Sequence, residues 1–392
     1  MELRRIDAFL LKILYLIAVL IVVFQALGQG SITSMLFMMT FPVTVLLWIR
    51  SVRNTITGMD LLVLITIALA FFAVLVNAIA AKTSLSFSYL RKVIMFAMSL
   101  LFMQVAYRMR VEKDIISFVN NMVDFLTIFL IAMYFLQNAQ MHLFGGRVTR
   151  YLTFRFSNPN VAAMFLTCLY MLELYRLFRP EKWYWKLLHI VMAVFLAWFI
   201  FESQSRNSLL VVSLFTAVCA WLVFKSGKHL YMPKGLAAVI SIFPALFVGG
   251  YLALINMSWV QELLSFITGT GKGLDSRVLI WQQALEYLIQ SPLIGAYGQI
   301  SEGTGAFQMH NTHLDIACSY GIPVLIMVCV LLRNYIYQRG RRYSDKESYI
   351  YILGFACAVM LGIGEAALFS GGLGIYIFVG TFLLFVNRGD AY

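Results

Sequence analysis

Long apolar runs occupy most of this chain and constrain its fold more than any other feature of the sequence. Each run is near the ~20 residues that an α-helix needs to cross the hydrocarbon core of a bilayer. Because backbone polar groups inside a bilayer must be paired within the element itself, the sequence predicts an all-α polytopic membrane protein with about twelve transmembrane helices. The runs lie near residues 8–27, 31–49, 59–81, 89–107, 115–137, 158–178, 185–202, 207–224, 235–256, 313–335, 348–366 and 370–388.

The composition agrees with a membrane protein that has little soluble mass. Only 12% of the 392 residues are charged, against about a quarter in soluble proteins. No repeat and no low-complexity linker divides the chain, so residues 1–392 are predicted to form a single transmembrane helical domain. The first run is long enough to span and lacks a small-residue cleavage site, so we expect a transmembrane helix there and no cleavable signal peptide.

The basic residues predict the orientation of these helices. With both termini in the cytoplasm, 21 of the 30 Lys and Arg residues fall in the termini and in the loops on the cytoplasmic side, as the positive-inside rule requires. The formal charge of +12 is therefore explained by topology, and no nucleic-acid partner is expected. We predict a multi-pass protein of the cytoplasmic (inner) membrane.

The nine basic residues on the predicted outer side call for another explanation, because they oppose topology selection. An anionic group at the outer leaflet would account for them. Arginine forks match phosphate oxygens in pairs, which suits a lipid-linked pyrophosphate. These residues are Lys82, Arg91, Lys92, Arg147, Arg150, Arg155, Arg206, Lys272 and Arg277.

The longest break between apolar runs, residues 257–312, is predicted to be a large extracytoplasmic loop between spans 9 and 10. Within it, Val278, Trp281, Leu285 and Leu288 recur at three- and four-residue intervals, the period of an amphipathic helix. This helix is predicted to begin at Asp275 or Ser276 and to stop at Ser291-Pro292. Arg277 in its first turn opposes the helix dipole, which favours a binding role over that of a solvated helix residue.

Two histidines end this loop and form the main catalytic candidate. His310 and His313 are three residues apart, so on one helix they would share a face, next to Asn311 and Asp315. A structural zinc site needs about four ligands, and only Asp315 or a distant acid is available as a third. We therefore predict no metal.

Two further segments carry polar groups at helix ends. The tight turn Glu202–Asn207 places Arg206 where it can meet a phosphate, with an ion pair to Glu202 as the alternative. Arg155 lies before the sixth run, where a phosphate or sugar contact and an ordinary helix start stay equally open. Glu365, among the late glycines, is a secondary candidate for pairing with an arginine.

Several short motifs, taken in order, resemble the bacterial superfamily of O-antigen ligases and O-antigen and capsular polysaccharide polymerases, over about residues 150–330. The resemblance implies a saccharide substrate on an undecaprenyl pyrophosphate carrier. It also implies that Arg206, Arg277 and a histidine, best matched by His310, are essential. The motifs are Ser157-Asn158-Pro159-Asn160, Ser203-Gln204-Ser205-Arg206, Ser276-Arg277 with Trp281, Ser291-Pro292-Leu293-Ile294-Gly295, and His310-Asn311 leading to Gly321-Ile322.

The residues and the resemblance together predict a metal-independent membrane glycosyltransferase without a cofactor. It would polymerise undecaprenyl-pyrophosphate-linked repeat units at the outer face of the cytoplasmic membrane. His310 is the predicted general base, and Arg206 and Arg277 stabilise the departing pyrophosphate. The predicted substrate-binding residues are His313, Asn311, Arg155, Arg91, Lys92 and Asn160.

The sequence leaves two other functions open. The first is an O-antigen ligase that transfers the glycan to a lipid A core, and the second is a secondary transporter of an anionic solute. Transporters tend to place charges near the midplane and to show repeated halves, which this sequence lacks. The predicted partners are the lipid-linked glycan donor and acceptor and the membrane lipid, with a chain-length regulator and a flippase as further candidates.

Overall fold

Helices dominate the architecture, and their order follows the predicted apolar runs. The computed structural model describes residues 5–80, 87–136, 141–144, 147–150, 156, 159–179, 181–224, 230–255, 257–260, 262, 275–296, 309–342, 346–370 and 374–386. The helices up to the long loop are α1 (Arg5–Ala26), α2 (Gly30–Val52), α3 (Gly58–Ala80), α4 (Phe87–Arg108), α5 (Lys113–Leu136), α6 (Pro159–Leu174), a 3-10 turn (Tyr175–Phe178), α7 (Trp183–Glu202), α8 (Arg206–Phe224) and α9 (Lys234–Leu254). They are followed by α10 (Asp275–Gln290), α11 (Thr312–Tyr320), α12 (Ile322–Arg342), α13 (Lys346–Leu361), α14 (Ala367–Ser370) and α15 (Ile375–Val386).

The predicted all-α polytopic class is confirmed. Within the described residues, ten helices are long and apolar enough to cross a membrane, namely α1 to α9 and α12. Two short strands, β1 (Met141–Phe144) and β2 (Arg147–Arg150), form an antiparallel hairpin between α5 and α6 that the sequence did not predict.

The last three predicted spans differ from the structure. The run at 313–335 is divided between α11 and α12, because Gly321 adopts a left-handed φ of 90°, a conformation that only glycine adopts readily. The final two runs form the 16-residue α13 and the 12-residue α15, both shorter than the ~20 residues of a full span. Ten helices of the described part of the chain therefore have the full spanning length, and the last two predicted runs form shorter helices.

Ion pairs join the helix ends at one end of the bundle, which we call the basic end. Arg50 at the end of α2 pairs with Asp7 at the start of α1, and Arg108 at the end of α4 pairs with Asp60 at the start of α3. Arg179, after α6, lies 3.7 Å from Glu347 at the start of α13. Three of the basic residues on the predicted cytoplasmic side thus pair with acids of neighbouring helices.

A helix, α10, lies where the apolar spacing predicts an amphipathic one: it begins at Asp275 and ends at Gln290, directly before Ser291-Pro292. Its Trp281 is fully buried, and the indole Nε1 donates to the carbonyl of Met309 over 2.9 Å. Edge-on contacts with Phe247 and Tyr251 anchor the same indole to α9. Arg277 lies four residues before Trp281, in the first turn of α10, and the buried indole holds this turn against α9.

A close backbone contact joins the end of α10 to the break between α11 and α12. The amide of Ile322 donates to Pro292 over 2.8 Å, and the amide of Ala296 donates to Cys318 over 2.8 Å. A Cβ on Gly321 would lie 2.1 Å from the Leu293 carbonyl oxygen. Only glycine fits this contact, so the Ser291–Gly295 and Gly321-Ile322 motifs serve packing.

Candidate functional site

The loop between α13 and α14, residues 362–366, connects the elements that carry the predicted catalytic residues. We call it the Glu365 loop. The amide of Thr312 donates to the Gly362 carbonyl, and the Thr312 hydroxyl donates to the Glu365 carbonyl, both over 2.8 Å. Asn207 donates from its amide to the Leu361 carbonyl over 2.7 Å. The starts of α8 and α11 therefore meet at this loop.

Glu365 contacts two of the three predicted catalytic residues. Its side chain is 2% exposed, and Oε1 lies 3.2 Å from Nη2 of Arg277. Its Oε2 lies 3.2 Å from Nδ1 of His310. The prediction that Glu365 pairs with an arginine is confirmed. Its contact with a histidine was not anticipated, because residues 348–366 read as one apolar run.

His310 precedes α11 and adopts a left-handed backbone conformation with φ 47°. Such a conformation is uncommon for a residue with a side chain, costs about 1–3 kcal/mol and tends to occur at functional sites. It turns the imidazole toward Glu365 and leaves the side chain 29% exposed. The prediction that His310 and His313 share one helical face is wrong, because the helix begins only at Thr312.

Asn311 is fully buried and is the N-cap of α11. Its Oδ1 accepts from the amide of Leu314 over 2.9 Å. Its Nδ2 donates to the carbonyls of Pro244 and Ile363 over 2.8 and 3.1 Å. Both amide hydrogens and the amide oxygen have partners within the protein, which fix the start of α11 between α9 and the Glu365 loop.

His313 is also fully buried, and it lies against α9. Its Nε2 donates to the Ser241 carbonyl over 2.7 Å, which makes Nδ1 the unprotonated nitrogen. Nδ1 has no hydrogen-bond partner among the described residues. Pro244 lies inside α9, and a proline disrupts the helical hydrogen bonds of the preceding turn, which makes carbonyls there available to side chains such as that of His313.

Arg206 begins α8, directly after a tight turn in which Gln204 adopts a left-handed φ of 54°. In the same turn, the Ser203 hydroxyl donates to the Ile200 carbonyl over 2.6 Å. Arg206 is exposed and forms no ion pair with any acid in the described part of the chain, so the alternative pairing with Glu202 does not occur.

The positive charge of Arg206 affects the pKa of Arg277. Burial lowers the pKa of the Arg277 guanidinium below its ordinary value, Glu365 partly restores it, and the positive charge of Arg206 lowers it. The three residues lie on three separate elements, α8, α10 and the Glu365 loop. Arg206, Arg277 and Glu365 together carry a net positive charge, and Glu365 also contacts His310.

The remaining predicted binding residues are placed differently. Lys92, on α4, donates to Asp315 and Ser319 of α11, over 3.0 and 2.9 Å. Arg91 is exposed in the same turn of α4, and Asn160 is half-buried in the first turn of α6. Arg155 lies outside the described residues, as does most of the 257–312 loop on either side of α10.

The described residues include one group with the spacing of a metal site, and it lies toward the basic end. Asp124, Glu173 and His189 place their ligand atoms within 4.8 Å of one another. The guanidinium of Arg176 already contacts Asp124, and it lies 3.2 Å from Nε2 of His189. A cation therefore occupies the position where a metal would have to bind, and we read this group as a buried ion-pair network.

The comparisons with known proteins single out one segment of the chain. A family model described as O-antigen ligase matches residues 191–329. This segment contains Arg206, Arg277 and His310, whereas Glu365 lies beyond it. No curated protein and no solved structure matches the chain. The family match supports an assignment to the O-antigen ligase and polymerase superfamily and agrees with the resemblance in the short motifs.

Proposed function

We propose that this chain, a membrane enzyme of the O-antigen ligase and polymerase superfamily, polymerises lipid-linked oligosaccharide repeat units into a surface polysaccharide. The donor is a glycan on undecaprenyl pyrophosphate, and the acceptor is a sugar hydroxyl of another lipid-linked repeat unit. The reaction takes place at the end of the bundle opposite the basic end. With the basic end in the cytoplasm, the site faces the periplasm or the cell exterior.

The proposal rests on the grouping of His310, Glu365, Arg277 and Arg206. Glu365 contacts both His310 and Arg277, and the charge of Arg206, which is exposed and has no acidic partner in the described structure, acts on Arg277. Transfer from a pyrophosphate carrier needs these two functions, a group that accepts a proton and groups that stabilise a leaving anion.

His310 is the proton acceptor in this mechanism. When Nδ1–H donates to Glu365, Nε2 carries the lone pair and is available to the acceptor hydroxyl. The acceptor oxygen attacks the anomeric carbon of the donor sugar as its proton passes to Nε2. A positioned base of this kind contributes roughly 10²- to 10⁴-fold to the rate. Glu365 orients the ring and stabilises the imidazolium that forms, as the third member of a catalytic triad does.

Arg206 and Arg277 stabilise the pyrophosphate as the bond between the anomeric carbon and the phosphate oxygen breaks. Both lie in the first turn of a helix, where a positive charge opposes the helix dipole but free backbone N–H groups favour an anion. An incoming pyrophosphate would therefore relieve two unfavourable local arrangements. With arginines in this role, the reaction needs no divalent metal and no cofactor.

The ligase is the second candidate, because the matching family model is described as O-antigen ligase. It would use the same donor, base and arginines and differ only in its acceptor, a sugar of a lipid A core. His310, Glu365, Arg277 and Arg206 act on the donor and on the proton of the acceptor hydroxyl, and both reactions share these steps.

Reconstitution with defined substrates tests the proposal. The purified protein in proteoliposomes is given an undecaprenyl-pyrophosphate-linked repeat unit alone, with and without chelator. A ladder of polymer in both samples is the expected result. Transfer that occurs only when lipid A core is added would identify a ligase. Uptake of the soluble sugar phosphate without glycan transfer would instead support the transporter and overturn the proposal.

A further inference from the structure

Helix α11 is the element that presents His310, and most of its surface is tied to neighbours. On the α9 side, His313 donates to the Ser241 carbonyl and Asn311 donates to the Pro244 carbonyl. On the side of the Glu365 loop, Thr312 forms two hydrogen bonds. All nine residues of α11 are buried. Because His310 lies just before this short helix, any rotation of α11 would displace it.

The face of α11 toward α4 carries Asp315 and Ser319, one turn apart. Lys92 donates to Oδ1 of Asp315 over 3.0 Å and to Oγ of Ser319 over 2.9 Å. The Asp315 side chain is 6% exposed and that of Lys92 is 19% exposed. A buried carboxylate without a partner is strongly destabilising. The Asp315 face of α11 therefore has to pack where the ammonium group of Lys92 can reach it.

Asp315 is connected to the catalytic histidine through the first turn of the helix. The amide of Asp315 donates to the carbonyl of Asn311 over 2.9 Å, and Asn311 directly follows His310. A shift of the Asp315 side chain toward or away from α4 would therefore be passed to the residue that carries the base. Reaction rates are sensitive to such shifts, since a displacement of about 1 Å can cost roughly 10²-fold.

We propose that Lys92 and Asp315 form a positioning pair that holds His310 in its reactive orientation. The inference rests on the proposed function, and it gives Lys92 a different role from the contact with a donor phosphate predicted from the sequence. In this role, Lys92 acts through Asp315 and α11. Its contribution therefore belongs to the rate of the chemical step and not to donor binding.

The two roles of Lys92 lead to opposite results in a mutant cycle. In proteoliposomes, Lys92→Met, Asp315→Asn and the double variant are compared for kcat and for the KM of the lipid-linked donor. A positioning pair predicts that each single variant lowers kcat by about tenfold or more and leaves KM within about threefold. The double variant should be no worse than either single one, because residues in contact are not additive.

A direct phosphate contact would give a different pattern and would overturn the inference. Asp315→Asn would then be as active as wild type, or bind donor more tightly, because it releases Lys92. Lys92→Met alone would raise the KM of the donor. The control is the pair Lys12→Met and Asp114→Asn, an ion pair of similar length with both side chains more exposed, which should leave kcat unchanged.

Conservative variants separate positioning from loss of folding. Lys92→Arg and Asp315→Glu keep the charges, and Ser319→Ala removes only the second contact of Lys92. If Lys92→Met fails to accumulate in the membrane, these variants replace it in the test. We expect each to have a kcat that is below the wild-type value, by less than tenfold, and an unchanged KM. Wild-type protein without polymerase activity would overturn the proposed function and this inference together. Active wild type with normal Asp315→Asn would overturn the inference alone.

Discussion

Nδ1 of His310 lies 3.2 Å from Oε2 of Glu365, which is 55 positions further along the chain. The carboxylate is buried, and its other oxygen contacts Arg277. One acid thus connects the proposed base with one of the two proposed anion-binding residues. The geometry matches a base held by an orienting group, which is how activated histidines are arranged in other enzymes.

Replacing Glu365 should impair the reaction without abolishing it. Glu365→Gln keeps the shape of the side chain but removes the charge that stabilises the imidazolium, so we expect kcat to fall by roughly 10²-fold. Glu286→Gln, the same change at an exposed position of α10, is the control and should be neutral. Polymer formation by purified Glu365→Gln at the wild-type rate would exclude the orienting role.

The two histidines should respond differently to substitution. His310→Ala removes the proposed base and should stop polymer formation, leaving folded protein in the membrane and single repeat units on the carrier. His313→Ala removes a buried ring and its hydrogen bond to Ser241, so it should lower stability by about 1–3 kcal/mol and keep measurable activity. Thermal melting and chain-length analysis distinguish these outcomes, and the reverse order of severity would move the base to His313.

Lysine should not replace either arginine. Arg206→Lys and Arg277→Lys keep a positive charge but lose the planar fork that binds two phosphate oxygens, so glycan synthesis should fall at least tenfold for each. Arg53→Lys is the matched control, because Arg53 is exposed at the basic end. Wild-type glycan yields from both variants at equal expression would remove phosphate binding from the mechanism.

The site should face away from the cytoplasm. Gln283 is exposed on α10, and Glu112 is exposed between α4 and α5 at the basic end. A membrane-impermeant maleimide should label Gln283→Cys in cells with an intact cytoplasmic membrane, and Glu112→Cys only after that membrane is permeabilised. The unsubstituted protein is the control for its five native cysteines. Labelling of Glu112→Cys from outside would invert the topology and rule out the proposed location.

Gly321 should tolerate no side chain. An alanine there would combine a left-handed φ of 90° with a contact to the Leu293 carbonyl oxygen, so it should cost at least about 1–3 kcal/mol of stability. Gly250→Ala is the control, since that position on α9 has nothing within 4 Å of an added Cβ and alanine favours a helix. Equal melting temperatures for the two variants would contradict the close contact at Gly321.

Local features of the sequence predicted the membrane class, the order of the first nine spans and the position of helix α10. Each of these depends on local quantities, namely the length of an apolar run and the three- and four-residue spacing around Trp281. The unfavourable position of Arg277 in the first turn of a helix was also visible locally, and the structure places it against Glu365.

Packing between elements that are distant in sequence determines which groups form the site. The spacing of His310 and His313 is typical of one helical face, yet the helix begins only at Thr312, after His310, and His313 is buried against Ser241. Glu365 lies at the end of an apolar run, and its partner His310 is 55 positions away in the sequence. Lys92 lies at a predicted membrane boundary, and its partner Asp315 is 223 positions away. Such pairs form only when α4, α10, α11 and the Glu365 loop pack together, because contacts between distant residues leave no periodic pattern in the sequence.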